Sequence, residues 1–226
     1  MSSADSTTAP PSSAVAKAAL VPRDAATLIL VDRSGSKPRV LMGRRRDDLV
    51  FLPGKYVFPG GRVDQADRIG PTDRLPATVA SRLMMRMRGR PSLTRAHALA
   101  RAAVRETYEE TGLRVAASID EALAGLAFVA RAVTPPGRIR RYDTRFFLAD
   151  AALVTDHQMA GDGELSKLDW FTFDEMRQLE LPGITRLVVE DIAQLSHVGG
   201  SDAKSTYDAA IPYYFHRAGS FQRDLL

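Results

Sequence analysis

The chain contains no cysteine. That absence excludes a disulfide framework, a thiolate nucleophile and any Cys-bound zinc. Histidine is nearly as scarce. His97, His157, His197 and His216 show no metal-ligand spacing and are assigned no role. Long hydrophobic runs are also missing. The longest apolar stretch in the first half, Ala25 to Val31, is interrupted by Thr27. It falls far short of the ~20 residues that a membrane helix needs. The first twenty residues, MSSADSTTAPPSSAVAKAAL, lack both a basic n-region and a sustained apolar core. They do not read as a secretory signal. These absences lead to the expectation of a cytoplasmic protein with no membrane contact. The basic segments carry no interleaved aromatics, which speaks against nucleic acid as a partner.

What is present is an ordinary globular balance over 226 residues, with 45% hydrophobic and 26% charged side chains. Lys+Arg exceeds Asp+Glu by 31 to 27. A net charge of +4 suits an anionic ligand without demanding a polyanion. The Ser-, Ala-, Thr- and Pro-rich residues 1–20 read as a disordered tail. Residues 21–226 read as one domain.

Ala26–Asp32 reads as a strand, followed by a turn and a hairpin partner at Arg39–Gly43. FLPGKYVFPGG (51–61) reads as a shaped loop around a short strand, Lys55–Phe58. Pro76–Gly89 is helical in pattern. A long helix is expected over Leu93–Thr111, with Ser92 as N-cap and Gly112 terminating it. Further expectations are a short strand at Val115–Ala117 and a short helix at Asp120–Leu126. A central strand follows at Arg141–Ala151, then a polar loop at 156–166 and a strand at Trp170–Phe173. Helices are read from Phe173 to near Pro182 and over Thr185–Ser196, and an edge strand over 211–216. Hairpins mixed with a few helices point to the α+β class.

The strongest chemical signal is RETYEETGL (105–113). On a helix, Glu106, Glu109 and Glu110 share one face with Cβ atoms about 5–6 Å apart. Arg105 alone cannot balance them. They also crowd the helix C-terminus, where negative charge opposes the macrodipole. A solvated acidic face is the bland alternative. A divalent cation such as Mg²⁺, which takes hard oxygen ligands, resolves both conflicts.

RETYEETGL together with Phe58-Pro59-Gly60-Gly61 resembles the Nudix box, G-x5-E-x7-R-E-U-x-E-E-x-G-U with U apolar. The pattern's first Gly falls on Gly61, and its first Glu on Asp67. Thr107 stands at a usually more apolar position. Gly61 and Arg105 are 44 positions apart where the pattern has 14, so 30 residues are inserted within the box. This helical insertion lies in 62–104. It resembles that of the peroxisomal acyl-coenzyme A diphosphatases of animals, as do FLPGKYVFPGGRVDQADR (51–68), RRYDTRFF (140–147) and the spacing of Glu164 from Trp170.

The resemblance implies a Nudix fold, an α/β/α sandwich around a mixed sheet, and Mg²⁺- or Mn²⁺-dependent hydrolysis of a diphosphate. It implies Glu106, Glu109, Glu110 and the Gly60 carbonyl as metal ligands. Arg105 would orient the glutamates, and Asp67 would tie the loop to the helix. Glu164 becomes a candidate general base, with Asp162 as local competitor. Arg44, Arg45 and Arg46 become candidates for reading a nucleotide phosphate. Leu41, Arg45, Gly54 and Phe58 to Gly61 match an upstream coenzyme A motif whose second Arg is replaced here by Val50. Arg140 and Arg141 are further candidates to face the substrate. The Met- and Arg-rich segment 82–90 could serve as a lid, a homodimer contact, or a helix packing Met inward and Arg outward. The expected substrate is coenzyme A or an acyl-coenzyme A. ADP-ribose or another nucleoside diphosphate derivative is the alternative, and a nucleotide-sensing regulator or an RNA-processing role ranks lower.

Overall fold

Ten residues, Arg23–Asp32, form β1, and its apolar side chains point two ways. Ala26, Leu28 and Leu30 enter one core cluster, while Ile29 and Val31 enter a second. A strand that is apolar on both faces belongs between two covering layers. The computed structural model describes residues 20–156, 158–160, 163–198 and 210–226. The expected disordered tail therefore lies outside the described residues, apart from Leu20.

Around β1 a nine-stranded mixed sheet is built. Its strands are β2 (Arg39–Arg45), β3 (Tyr56–Val57), β4 (Gly60–Arg62), β6 (Ala127–Val133), β7 (Tyr142–Asp150), β9 (Leu165–Thr172), β10 (Pro212–Arg217) and β11 (Ser220–Leu225). The order is β11-β10-β6-β7-β1-β2-β3, with β4 on β1 and β9 on β2. β1 runs parallel to β7, and β10 parallel to β6. The short β5 (Arg114–Val115) and β8 (Val154–Asp156) pair separately. One face is covered by α1 (Ala77–Met84), α2 (Leu93–Thr111) and α3 (Ile119–Ala124). The other is covered by α4 (Phe173–Gln178) and α5 (Gly183–Val198). The result is an α/β/α sandwich of the α+β class. Among the described residues, no helix is long and apolar enough to cross a membrane.

α2 has the bounds that its caps dictate. The Ser92 hydroxyl accepts from the Arg95 N–H, and Gly112 adopts φ 76° while donating to the Tyr108 carbonyl. Thr107 is fully buried, and its hydroxyl donates to the Ala103 carbonyl at 2.7 Å. A polar residue is thereby satisfied at an apolar position. His97 also has a structural role. Its Nε2 accepts from the Leu75 N–H, so Nδ1 carries the proton toward the Leu93 carbonyl. The ring pins the inserted segment to α2.

Four expectations need correction. α1 stops at Met84 rather than continuing to Gly89. Arg131 on β6 takes the Met85 and Arg86 carbonyls at 3.3 and 2.9 Å, and the buried Asp143 holds that guanidinium in place. β6 carries no clear strand signal in the sequence, because Ala127, Ala130, Ala132 and Arg131 dilute its β-branched content. The strand expected at Trp170 begins at Leu165, inside the segment read as loop. β10 is not an edge, since β11 pairs along its whole length. In the inserted segment, Val79, Ala80, Leu83 and Met87 are buried in the α2-side core, Met84 is partly buried against it, and Met85 is exposed.

Candidate active site

The last two turns of α2 meet the loop between β3 and the inserted segment. Arg105 is the junction. Its Nε and one terminal nitrogen donate to the two Asp67 oxygens at 3.0 and 2.9 Å. Its other terminal nitrogen donates to Glu106 at 2.9 Å and to Glu109 at 2.8 Å. A further bond reaches the Arg62 carbonyl at 3.0 Å. Asp67 is buried in a 3₁₀ turn, Ala66–Arg68, and also accepts from the Asp64 N–H. Its fork raises the Arg105 pKa further, so this cation is permanent. Arg105 thus holds two of the three glutamates, and Asp67 holds Arg105.

Glu110 is held differently. Only 3% exposed, it accepts from the Gly60 N–H at 2.8 Å. Burial pushes its pKa up to about 8; the Gly60 hydrogen bond opposes this, and the charges of Glu164 and Glu106 add to it. Burial also raises the Glu106 pKa, against the pull of Arg105. Gly60 meets the cluster through its N–H, and Gly61 lies directly beneath Glu106. A Cβ on Gly61 would come 2.4 Å from the Glu106 carboxyl carbon. A Cβ on Gly60 would come 2.4 Å from the Ala26 carbonyl oxygen and 2.6 Å from Thr27 Cα. Backbone cannot yield there without parting β1 from β4. Gly60→Ala is therefore expected to lower the melting temperature by at least ~5 °C, as for a packing defect of ~2 kcal/mol in a chain this size. An unchanged melting curve would contradict this packing.

Glu164 precedes β9 and faces β2. The register of these strands slips between Arg44 and Arg45, leaving Ser166 as a bulge. The Arg46 N–H donates to the Glu164 carbonyl at 3.2 Å, and Arg45 donates to the Glu164 carboxylate at 2.6 Å. The competing Asp162 lies outside the described residues. The three arginines read as a basic turn are all paired within the chain. Arg44 forks onto Asp47 and Arg46 onto Asp48, both in the open. Arg45, whose side chain is 12% exposed, spans Glu164 and the Phe51 carbonyl. The turn is therefore not the open cradle expected of a phosphate site, and Arg45 least of all. Arg141 binds the Thr134 and Leu20 carbonyls at the strand ends; Arg140 is exposed. Two features had no signal in the sequence. Phe51 and Tyr142 pack edge to face, 5.7 Å between centroids. Arg95 forks onto Asp24, binding the start of α2 to β1.

The donor set suits a hard divalent cation. A buried carboxylate raised to about 8, beside two more carboxylates, is short of positive charge. Among the described residues, no three acidic or histidine side chains converge tightly enough to share an ion as they stand. Glu106 and Glu109 turn toward Arg105 instead, so they would have to swing inward to join Glu110.

Residues 94–191, from the start of α2 into α5, match the NUDIX domain family. The segment carrying Gly60, Gly61 and α1 precedes that match. A NUDIX hydrolase from Alicyclobacillus acidocaldarius shares the fold with a TM-score of 0.59 and 23% identity, covering 84% of this chain and 96% of that one. The NUDIX domain of Shewanella oneidensis NrtR, solved with ADP ribose, gives a TM-score of 0.51 and 12% identity over 78% of this chain and 90% of that one. No curated protein matches the chain. The fold is the Nudix fold.

Proposed function

Starting from a NUDIX domain over residues 94–191, we propose that the protein hydrolyses the diphosphate of coenzyme A or an acyl-coenzyme A. The products are 4′-phosphopantetheine, or its acyl form, and adenosine 3′,5′-bisphosphate. The observation that carries this reading is the arrangement of Glu106, Glu109 and Glu110 around Arg105 and the Gly60 N–H, with Glu164 close enough to raise the Glu110 pKa.

Glu106, Glu109 and Glu110 would hold Mg²⁺ or Mn²⁺, with the Gly60 carbonyl as a further ligand. When bound, the ion neutralises phosphate oxygens and acidifies a water. Glu164 takes the proton of the attacking water as a new P–O bond forms and the bridging P–O bond breaks. Arg105 keeps Glu106 and Glu109 oriented, and Asp67 keeps Arg105 in place. The partner is a small nucleotide substrate and the location cytoplasmic; a homodimer, if formed, would use the outer face of the inserted segment.

Arg44 and Arg46 remain the phosphate contacts in this reading. Their exposed pairs with Asp47 and Asp48 are worth little and can open. A contact to the 3′-phosphate of ~1.5–3 kcal/mol gives coenzyme A a roughly 10–150-fold advantage in kcat/KM over dephospho-coenzyme A. Arg44→Ala with Arg46→Ala should erase that advantage by weakening coenzyme A alone. The test is a panel of coenzyme A, dephospho-coenzyme A, ADP-ribose and NADH with each metal, products identified by mass. Equal turnover of the first two would sink the coenzyme A reading. The ADP ribose complex of the Shewanella domain favours ADP-ribose as the second reading. Strong ADP-ribose turnover in the same panel would promote it.

A further inference from the structure

We propose that Arg45 is a positioning residue that aims the Glu164 carboxylate and ties it to the loop carrying Phe51. The inference rests on the reading of Glu164 as the base.

The backbone of Arg45 is fixed first. Its N–H donates to the Lys55 carbonyl at 2.9 Å, and its carbonyl accepts from Gly54 at 3.1 Å. The side chain then leaves the end of β2 beside the Ser166 bulge, and bulges are devices that re-aim side chains. Its planar fork is used on two targets at once. Nε donates to the Phe51 carbonyl at 2.9 Å, and a terminal nitrogen donates to the Glu164 carboxylate at 2.6 Å. Glu164 is more exposed than its partner, 39% against 12%. The better-buried cation therefore anchors the more exposed anion. The next residue repeats the hold on the backbone, through Arg46 N–H to the Glu164 carbonyl.

Two consequences follow from the charge. Glu164 and Glu110 repel each other, and Arg45 opposes that repulsion. Without the guanidinium the Glu164 side chain would swing outward, away from the glutamates. The other arm carries the link outward as well. Phe51 stacks edge-on against Tyr142, so a rearranged 46–54 loop would pull on the same fork that orients the base. A lysine keeps the charge but cannot bond Phe51 and Glu164 with one rigid plane.

The test is a double-mutant cycle with Mg²⁺, using coenzyme A and ADP-ribose as substrates. Arg45→Ala should lower kcat ~10–100-fold, the usual loss when the partner that orients a reacting group is removed. KM and the Mg²⁺ concentration for half-activation should stay within ~3-fold. In the Glu164→Gln background the same substitution should cost less than ~3-fold, because the group it orients is already disabled. Arg45→Lys, run through the same cycle, should fold normally and recover kcat only in part; it answers the question if Arg45→Ala does not fold. Equal losses in both backgrounds would overturn the inference, as would a rise in KM with kcat unchanged. A Glu164→Gln enzyme with wild-type turnover would instead remove the premise, which separates the two failures.

Discussion

Glu110→Gln is expected to cut hydrolysis by more than ~100-fold while making the metal-free protein more resistant to heat above pH 8. The rate loss exceeds that usual for a residue that merely supports a ligand, because Glu110 would supply charge to the ion itself. The stability gain comes from linkage. Glu110 titrates near 4.5 when unfolded and at about 8 when folded. Between those values the folded chain binds the extra proton, so stability falls as pH rises through the window. Gln carries no such proton and can still accept from the Gly60 N–H. The difference between the two proteins is therefore absent below pH 4.5, opens through the window and is complete above pH 8. A shift of this size corresponds to several kcal/mol, so a rise in melting temperature of ~5–10 °C is expected in EDTA at pH 8.5. Saturating Mg²⁺ should stabilise the wild type at that pH and leave the variant nearly unchanged. Parallel melting curves for the two proteins across pH 5 to 8.5 would remove Glu110 as the buried, charge-starved ligand.

Glu164→Gln should lower kcat ~10²–10⁴-fold at neutral pH, the range for loss of a general base. Half-activation by Mg²⁺ should stay where it was, since Glu164 lies across from α2 and not among its glutamates. The amide keeps the shape of the carboxylate and can still accept from Arg45, so folding should not change. A loss below tenfold would move the base to Asp162 or to a glutamate of α2. A parallel loss of Mg²⁺ affinity would instead make Glu164 a ligand.

Legibility followed the range of the interaction. α2 was readable to the residue because Ser92 and Gly112 act within one turn of its ends. β1 and β7 were readable as apolar runs, and the three glutamates as one helical face. α1 was overextended because its end is decided by Arg131, some 45 residues away. β6 was invisible because a strand covered on both sides can be built from alanine, whose burial reflects neighbours rather than propensity. Arg45 resembles a phosphate contact in the sequence because its partner is 119 positions distant.

By itself, the amino-acid sequence determined the α+β class and the helix that bears the glutamates, and its resemblance to the Nudix box implied the sandwich and the loop at Gly60-Gly61. The first two rest on periodicity and caps, which act over a few residues. Only the tertiary structure decided which charges pair. It set Asp67 behind Arg105, buried Glu110 while leaving Glu109 in the open, and spent the fork of Arg45 on Glu164 and Phe51. Ion pairing and desolvation depend on distance through space, and chain spacing carries no record of it.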